Sequence, residues 1–281
     1  MRSPCKTWLP LALCSVAFGC AEVEGDVGIE ENAALASENG LRVINGLRVI
    51  NGINGISTNG LSLTAGLSTS AGLSATSGLM TTSDGRDQVA YLVRCALPAN
   101  TSITKGSYTF QGLMGMAPQW QNGACDTTCQ ENVSACMLAH VNTAGIHVPL
   151  WLVAQNAAVG WGQDPEFANQ EGAFFGNVFT AGAHGTDPNT VAAFYCMGAK
   201  YNVNPPQGRL GSTQTSPPYV NPFGSANAAC VTNYRCAASD TPYQNDGFKA
   251  CNGWNNVVTV WRQNTTTTTT SGGTGHGYRW R

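Results

Sequence analysis

Eight cysteines lie beyond residue 20: Cys95, Cys125, Cys129, Cys136, Cys196, Cys230, Cys236 and Cys251. An even set in an exported chain reads as a disulfide framework, and cross-links of this kind restrict the folds a chain can reach. Spacing does not reveal which cysteine pairs with which. A redox or metal role for Cys125, Cys129 and Cys136 is the competing reading. No C-x-x-C or C-x-x-C-H spacing occurs in the chain, so disulfides are the expectation and no metal site is assigned.

The disulfide reading depends on export, and the first twenty residues carry that signal. Arg2 and Lys6 form a basic start, Trp8 to Phe18 is a largely apolar run, and small residues Ala17 and Gly19 precede Cys20. This is the three-part pattern of a signal peptide, with an apolar run shorter than the roughly 20 residues a membrane span needs. Val16-Ala17-Phe18-Gly19-Cys20 is also similar to a lipobox, the motif whose cysteine receives a lipid. It departs from the pattern in its early apolar residue and the bulky Phe18. Residues 1–19 are therefore expected to be a signal peptide and Cys20 a lipidation site, giving an outer-membrane or cell-surface location. Cleavage without lipid, giving a soluble secreted protein, is the alternative.

Without Arg2 and Lys6 the chain carries 12 basic and 16 acidic residues. Six of the acids, Glu22, Glu24, Asp26, Glu30, Glu31 and Glu38, fall in residues 20–38 with no base among them. That stretch reads as an acidic tether, too polar to fold alone. The remainder is nearly balanced and has no basic patch for nucleic acid. Charged residues make up 11% of the chain, where about a quarter is usual.

Residues 39–83 form an internal repeat. Asn39-Gly40-Leu41, Asn45-Gly46-Leu47, Asn59-Gly60-Leu61, Ala65-Gly66-Leu67, Ala71-Gly72-Leu73 and Ser77-Gly78-Leu79 recur every six residues, with a slip between Asn51 and Ile56. In the early units apolar residues stand two apart (Leu41 and Val43, Leu47 and Val49), which places them on one face of a strand. Asn-Gly favours turns that need positive φ. The expectation is a short β-solenoid-like or extended segment. A spacer, or a strand donor covering the globular part, are the alternatives.

From residue 84 to 263 the pattern becomes irregular, aromatic and cysteine-bearing, and reads as one loop-rich, disulfide-stapled α+β domain. Helical spacing runs over Asp87–Cys95, stopping before Pro98, and over Glu131–Val141. Strands are expected over His147–Val153, Phe174–Thr180 and Val257–Trp261. Pro205 to Pro222 reads as loop. Residues 264–281, with six threonines from Thr265, read as a disordered tail.

Common catalytic signatures are absent: the chain has no G-x-S-x-G, H-E-x-x-H, G-x-x-x-x-G-K-[ST] or G-x-G-x-x-G placed between strand and helix. The best enzymatic grouping is Glu171, His184 and Asp187, since a histidine oriented by a carboxylate can act as a general base. The same residues also read as a polar loop with Asp187-Pro188 opening a turn. Trp161 and Trp254 sit beside amide side chains, a pairing suited to stacking on and bonding a glycan, or else to filling a core.

Three segments carry a resemblance: Gln88–Pro98 behind the Asn-Gly-Leu hexads, Val133–Asn142, and Glu171–Asn177. Together they resemble a group of exported lipoproteins of myxobacteria and related bacteria. The likeness covers residues 39 to about 180. It implies export and a surface location, and it brings no activity, cofactor or functional residue with it. The expected function is a non-catalytic binding or structural module at the cell surface, held to the membrane by an N-terminal lipid, with a glycan or surface partner. A secreted hydrolase with a His/carboxylate site is the alternative.

Overall fold

The computed structural model describes residues 36–37, 40–45, 58–141, 148–189, 191–197, 237–238, 247–251 and 253–263, all within the unit Ala34–Arg281. The expected signal peptide, Cys20, most of the expected acidic tether, Cys230, Cys236, the proline-rich stretch and the threonine tail lie outside these residues, as does the side chain of Cys196. The described part is mixed helix and strand, as the alternation of periodicities predicts.

Among the described residues, ten strands and two α-helices occur in this order: β1 (Ala36–Ser37), β2 (Gly40–Asn45), α1 (Ser83–Ala96), β3 (Ser102–Lys105), β4 (Tyr108–Gln111), α2 (Thr127–Ala139), β5 (Val148–Ala154), β6 (Asn169–Ala181), β7 (Val191–Met197), β8 (Ala237–Ala238), β9 (Phe248–Ala250) and β10 (Val258–Arg262). Six of the strands form one antiparallel sheet in the order β1-β2-β5-β10-β6-β7. The hairpins β3–β4 and β8–β9 stand apart as two-stranded sheets. No described helix is long and apolar enough to cross a membrane.

Both helices begin where a side chain can satisfy an orphan N–H. Thr82 Oγ1 accepts from Gly85 N at 3.1 Å ahead of α1, and Asp126 Oδ1 accepts from Cys129 N at 2.8 Å ahead of α2. At its other end α1 stops at Leu97, which is extended before Pro98. Helix α1 buries one face, including Val89, Leu92, Val93 and Cys95, while Asp84 and Asp87 stay exposed. Helix α2 is different: every residue from Cys129 to Ala139 is buried. It lies between α1 and the long strand β6. A disulfide joins Cys95 of α1 to Cys136 of α2, and a second closes the short loop from Cys125 to Cys129. Cys251 is disulfide-bonded as well.

The repeat does not form a solenoid among the described residues. Residues 40–45, the first hexad, enter the main sheet as β2, with Leu41, Val43 and Asn45 opposite Leu152, Leu150 and Val148 of β5. The later hexads wind back on themselves. Leu61 bridges Leu73, Ser62 N donates to Gly72 O, and Leu79 N donates to Asn59 O. Their leucines turn inward: Leu67 and Leu73 are fully buried and Leu79 nearly so, in the same core as Leu92, Trp120 and Val133. A strand face needs apolar residues two apart, and in the units from Leu67 onward that place holds Thr69, Ala75 and Thr81. The glycines serve close approach. A Cβ on Gly72 would lie 1.9 Å from Gly66 O, and one on Gly78 would lie 2.0 Å from Asn59 O.

Hairpin β3–β4 went unmarked in the sequence reading, although Ser102–Phe110 alternates around Lys105-Gly106-Ser107. It alternates buried Ile103 and Phe110 with exposed threonines. Lys105 is buried, its Nζ donates to Thr69 O at 2.6 Å, and burial lowers its pKa. That bond ties the hairpin to the wound repeat.

Candidate functional site

Helix α2 carries four buried polar side chains, Gln130, Glu131, Asn132 and Ser134. A polar group taken out of water needs partners, because leaving it unsatisfied costs about 1–3 kcal/mol. Most of those partners come from the end of β6 and the loop after it. Gln130 Oε1 accepts from Asn177 Nδ2 at 3.0 Å and from Thr180 Oγ1 at 2.7 Å. Gln130 Nε2 donates to Cys125 O at 2.9 Å. Ser134 Oγ accepts from Val178 N at 3.0 Å. Asn132 bonds within its own helix, to Thr128 O.

Local geometry explains why β6 reaches this helix and then turns away. Its ladder with β7 shifts register between Asn177 and Ala181. Gly176 sits at φ 140°, where a Cβ would come within 2.3 Å of Ala192 O. Asn177 Oδ1 then accepts from Phe179 N and Thr180 N, curling the strand's end. Gly182, in the left-handed region, passes the chain into the turn Ala183–Gly185.

This turn aims His184 at Glu131. His184 Nε2 lies 2.7 Å from Glu131 Oε1, and Asn256 Nδ2 donates to Glu131 Oε2 at 2.7 Å. Glu131 has a side chain only 4% exposed against 37% for His184. The imidazole also rests on Trp254, with ring centroids 4.2 Å apart. His184 itself adopts φ 52°, ψ 31°, a left-handed conformation that costs a non-glycine residue about 1 kcal/mol or more. Three separate chain segments therefore meet at one carboxylate: α2, the β6–β7 turn, and the stretch before β10.

With Nε2 directed at Glu131, the other ring nitrogen faces away from the carboxylate. A histidine held in this way has the orientation of a general base. No serine, threonine or cysteine is bonded to His184 among the described residues, so any base action here would be on water.

The sequence-predicted residues fall in different places. The carboxylate bonded to His184 is Glu131, not Glu171 or Asp187. Glu171 is fully buried in β6, with Tyr195 Oη donating to its backbone O at 3.0 Å. Asp187 is exposed, and its Oδ1 accepts from Asn189 N and Nδ2. Trp254 is 1% exposed and packs against Phe175 and Phe194. It cannot present a ring to a glycan. Trp161 is half-buried against Trp151, Val153, Phe167 and Trp261. Trp120, Trp151 and Trp261 are core residues too.

Cys95, Cys136 and His140 cluster closely enough to hold a metal ion, but the two sulfurs are bonded to each other and offer no thiolate. Cys125 and Cys129 are bonded in the same way. His140 Nδ1 lies 2.8 Å from Cys136 O, a bond within the helix terminus. Sequence reasoning missed Glu131 and Asn256 as site residues. The signal for Glu131 was its isolation: it is the single charged residue in the thirteen of α2. No family model, no curated protein and no solved structure matches this chain.

Proposed function

We propose that this chain is an exported surface lipoprotein whose folded part is a non-catalytic, covalently stapled structural module. The observation that carries the reading is the bond between Cys95 and Cys136, buried at the contact of the two helices. Such a bond persists in an oxidising compartment and is reduced in the cytosol. The basic-apolar-small pattern of residues 1–20 and the lipobox-like Cys20 supply the route and the anchor. The likeness to exported lipoproteins agrees with both. Export is tested by fractionating cells that make the full chain, and anchoring by labelled palmitate incorporation with a Cys20→Ala control. Label on the wild type alone, with the protein in the membrane fraction, supports the reading. A cytoplasmic protein with reduced Cys95 and Cys136 contradicts export, while an exported but unlabelled one contradicts only the anchor.

A second reading, a hydrolase, is favoured by one observation, the 2.7 Å contact between His184 and a nearly inaccessible carboxylate. In that reading His184 takes a proton from water while Glu131, steadied by Asn256, fixes the ring. Hydrolysis of a p-nitrophenyl ester or glycoside by the folded protein, lost in His184→Gln and Glu131→Gln, would support it. Turnover unchanged by both substitutions rules it out.

A further inference from the structure

We infer that the Cys95–Cys136 contact has a second chemical state, in which the two reduced sulfurs, His140 and Met114 hold a copper(I) ion. The disulfide joins α1 to α2, and two more side chains with soft or borderline donor atoms touch it. Met114 Sδ lies 3.2 Å from Cys136 Sγ, and His140 Nδ1 lies 3.7 Å from the same sulfur. The sulfurs of Cys95 and Cys136 and a ring nitrogen of His140 all fall within 4.8 Å of one another. Cys95, Cys136 and His140 are fully buried, and Met114 nearly so. Both helices and the loop after β4 build this set. Cys136 and His140 stand four apart at the end of α2, which puts them on one face. Met114 arrives on the chain that folds back over the end of α1, where Met114 N donates to Arg94 O and Met116 N to Cys95 O.

Reduction by a dithiol balances directly. The dithiol closes to its own disulfide, and Cys95 and Cys136 take up its two electrons and two protons as thiols. Copper(I) then displaces both thiol protons and binds the two thiolates. His140 Nδ1, 2.8 Å from Cys136 O in the disulfide state, leaves that carbonyl to become a ligand, with the ring proton on Nε2. Two thiolates, an imidazole and a thioether form a soft set of the kind that selects copper(I). Structural zinc sites draw on cysteine and histidine, so the Met114 thioether separates the two ions. Copper(I) between two thiolates leaves one negative charge. Arg94 supplies a positive one nearby, its guanidinium 5.7 Å from the ring centroid of Tyr91, which packs on His140 with centroids 5.4 Å apart. Among the described residues no other group of three cysteine, histidine or acidic side chains comes as close, the Cys125–Cys129 pair included. The ion would join the same two helices as the disulfide, so either state closes the loop of 41 residues. None of this depends on the proposed export.

The test reduces the full chain with a dithiol under anaerobic conditions, removes the dithiol, and titrates with copper(I) buffered by bicinchoninate. A variant carrying Cys95→Ala and Cys136→Ala keeps every other cysteine, and the wild type should bind one equivalent more than it does. Copper(I) should also raise the melting temperature of the reduced wild type more than that of this variant, because the ion binds the folded helix pair. Met114→Leu keeps the volume close and removes the thioether. It should melt like the wild type when oxidised and hold the extra equivalent at least about tenfold more weakly, since even residues behind a metal ligand have that effect. Equal copper uptake by the wild type and the double variant overturns the proposal. So does an extra equivalent whose affinity Met114→Leu and His140→Gln both leave unchanged. A reduced wild type that unfolds and regains no helix signal with copper(I) overturns it as well.

Discussion

Helices α1 and α2 are close in length and are tied by a disulfide, yet they solve different problems. Helix α1 covers the core from outside and keeps Asp84 and Asp87 in water. Helix α2 runs through the interior, buried on every side from Cys129 to Ala139. A helix in the first position needs only one apolar face. A helix in the second must find a partner for each polar atom it brings, and α2 brings a carboxylate. The His184 corner is the result: the chain bends at Asn177 and holds a histidine in a left-handed conformation so that Glu131 has an imidazole and an amide beside it. Function-like geometry here grows out of polar satisfaction.

The difference can be broken most sharply where the helices are joined. Replacing Cys95 and Cys136 by alanine opens a link across 41 residues of sequence, and the chain-entropy argument puts the loss at about 4 kcal/mol. Removing the Cys125–Cys129 link, across four residues, should cost about 2 kcal/mol by the same argument. Denaturant titration of the two variants checks the ratio. Equal losses would show that strain or residual structure, not loop closure, sets the contribution of these bonds.

Next in size is the carboxylate itself. Glu131→Ala strands His184 and Asn256 beside a new cavity and should lose about 3 kcal/mol. Glu131→Gln keeps the shape and one acceptor, and should lose less. Alanine at Asp84, exposed on α1, should fall within about 0.5 kcal/mol of wild type. If the two acids behave alike, the contrast between the helices is wrong.

Tyr91 sharpens the comparison from the α1 side. Its hydroxyl is buried without a hydrogen-bond partner among the described residues. Burial pushes its pKa up to about 12, with Arg94 opposing and Asp87 adding a smaller upward push. The unfolded chain ionises its tyrosine near pH 10 while the folded one holds the proton. Stability is therefore full below about pH 10 and falls as pH rises toward 12, by roughly 2–3 kcal/mol. Tyr91→Phe should remove that part of the alkaline loss and cost nothing at neutral pH, read by melting at pH 7 and pH 11. At the caps, Thr82→Ala and Asp126→Ala should each cost about 1 kcal/mol.

Much of this architecture is legible in the sequence, for reasons that can be named. Asp87–Cys95 and Glu131–Val141 reveal their helices through apolar spacing, and Pro98 sets the end of the first. His147–Val153, Phe174–Thr180 and Val257–Trp261 reveal sheet strands by length and composition, with ends that differ by one to five residues from β5, β6 and β10. The hexads mislead because Gly-Leu at a fixed period has two physical uses. Followed by Val43 and Ile44 it makes a strand, as in β2. Followed by Ser68 and Thr69, as at Leu67, the glycine lets backbones touch and the leucine drops into a core built by other elements. The His184 site is half legible. A histidine near carboxylates was visible, but its partner lies 53 residues away on another element, and sequence proximity favoured Glu171 and Asp187. Long-range pairing of this kind is set by the curl at Asn177, which no local pattern announces.

The Cys95–Cys136 bond joins these two helices, and in the proposed reading it forms outside the cytoplasm. Its most direct test is peptide mapping, without reduction, of the protein purified from the cells that make it. The account predicts one peptide pair linked through Cys95 and Cys136 and a closed loop through Cys125 and Cys129. Free thiols at Cys95 and Cys136 in that protein would contradict it.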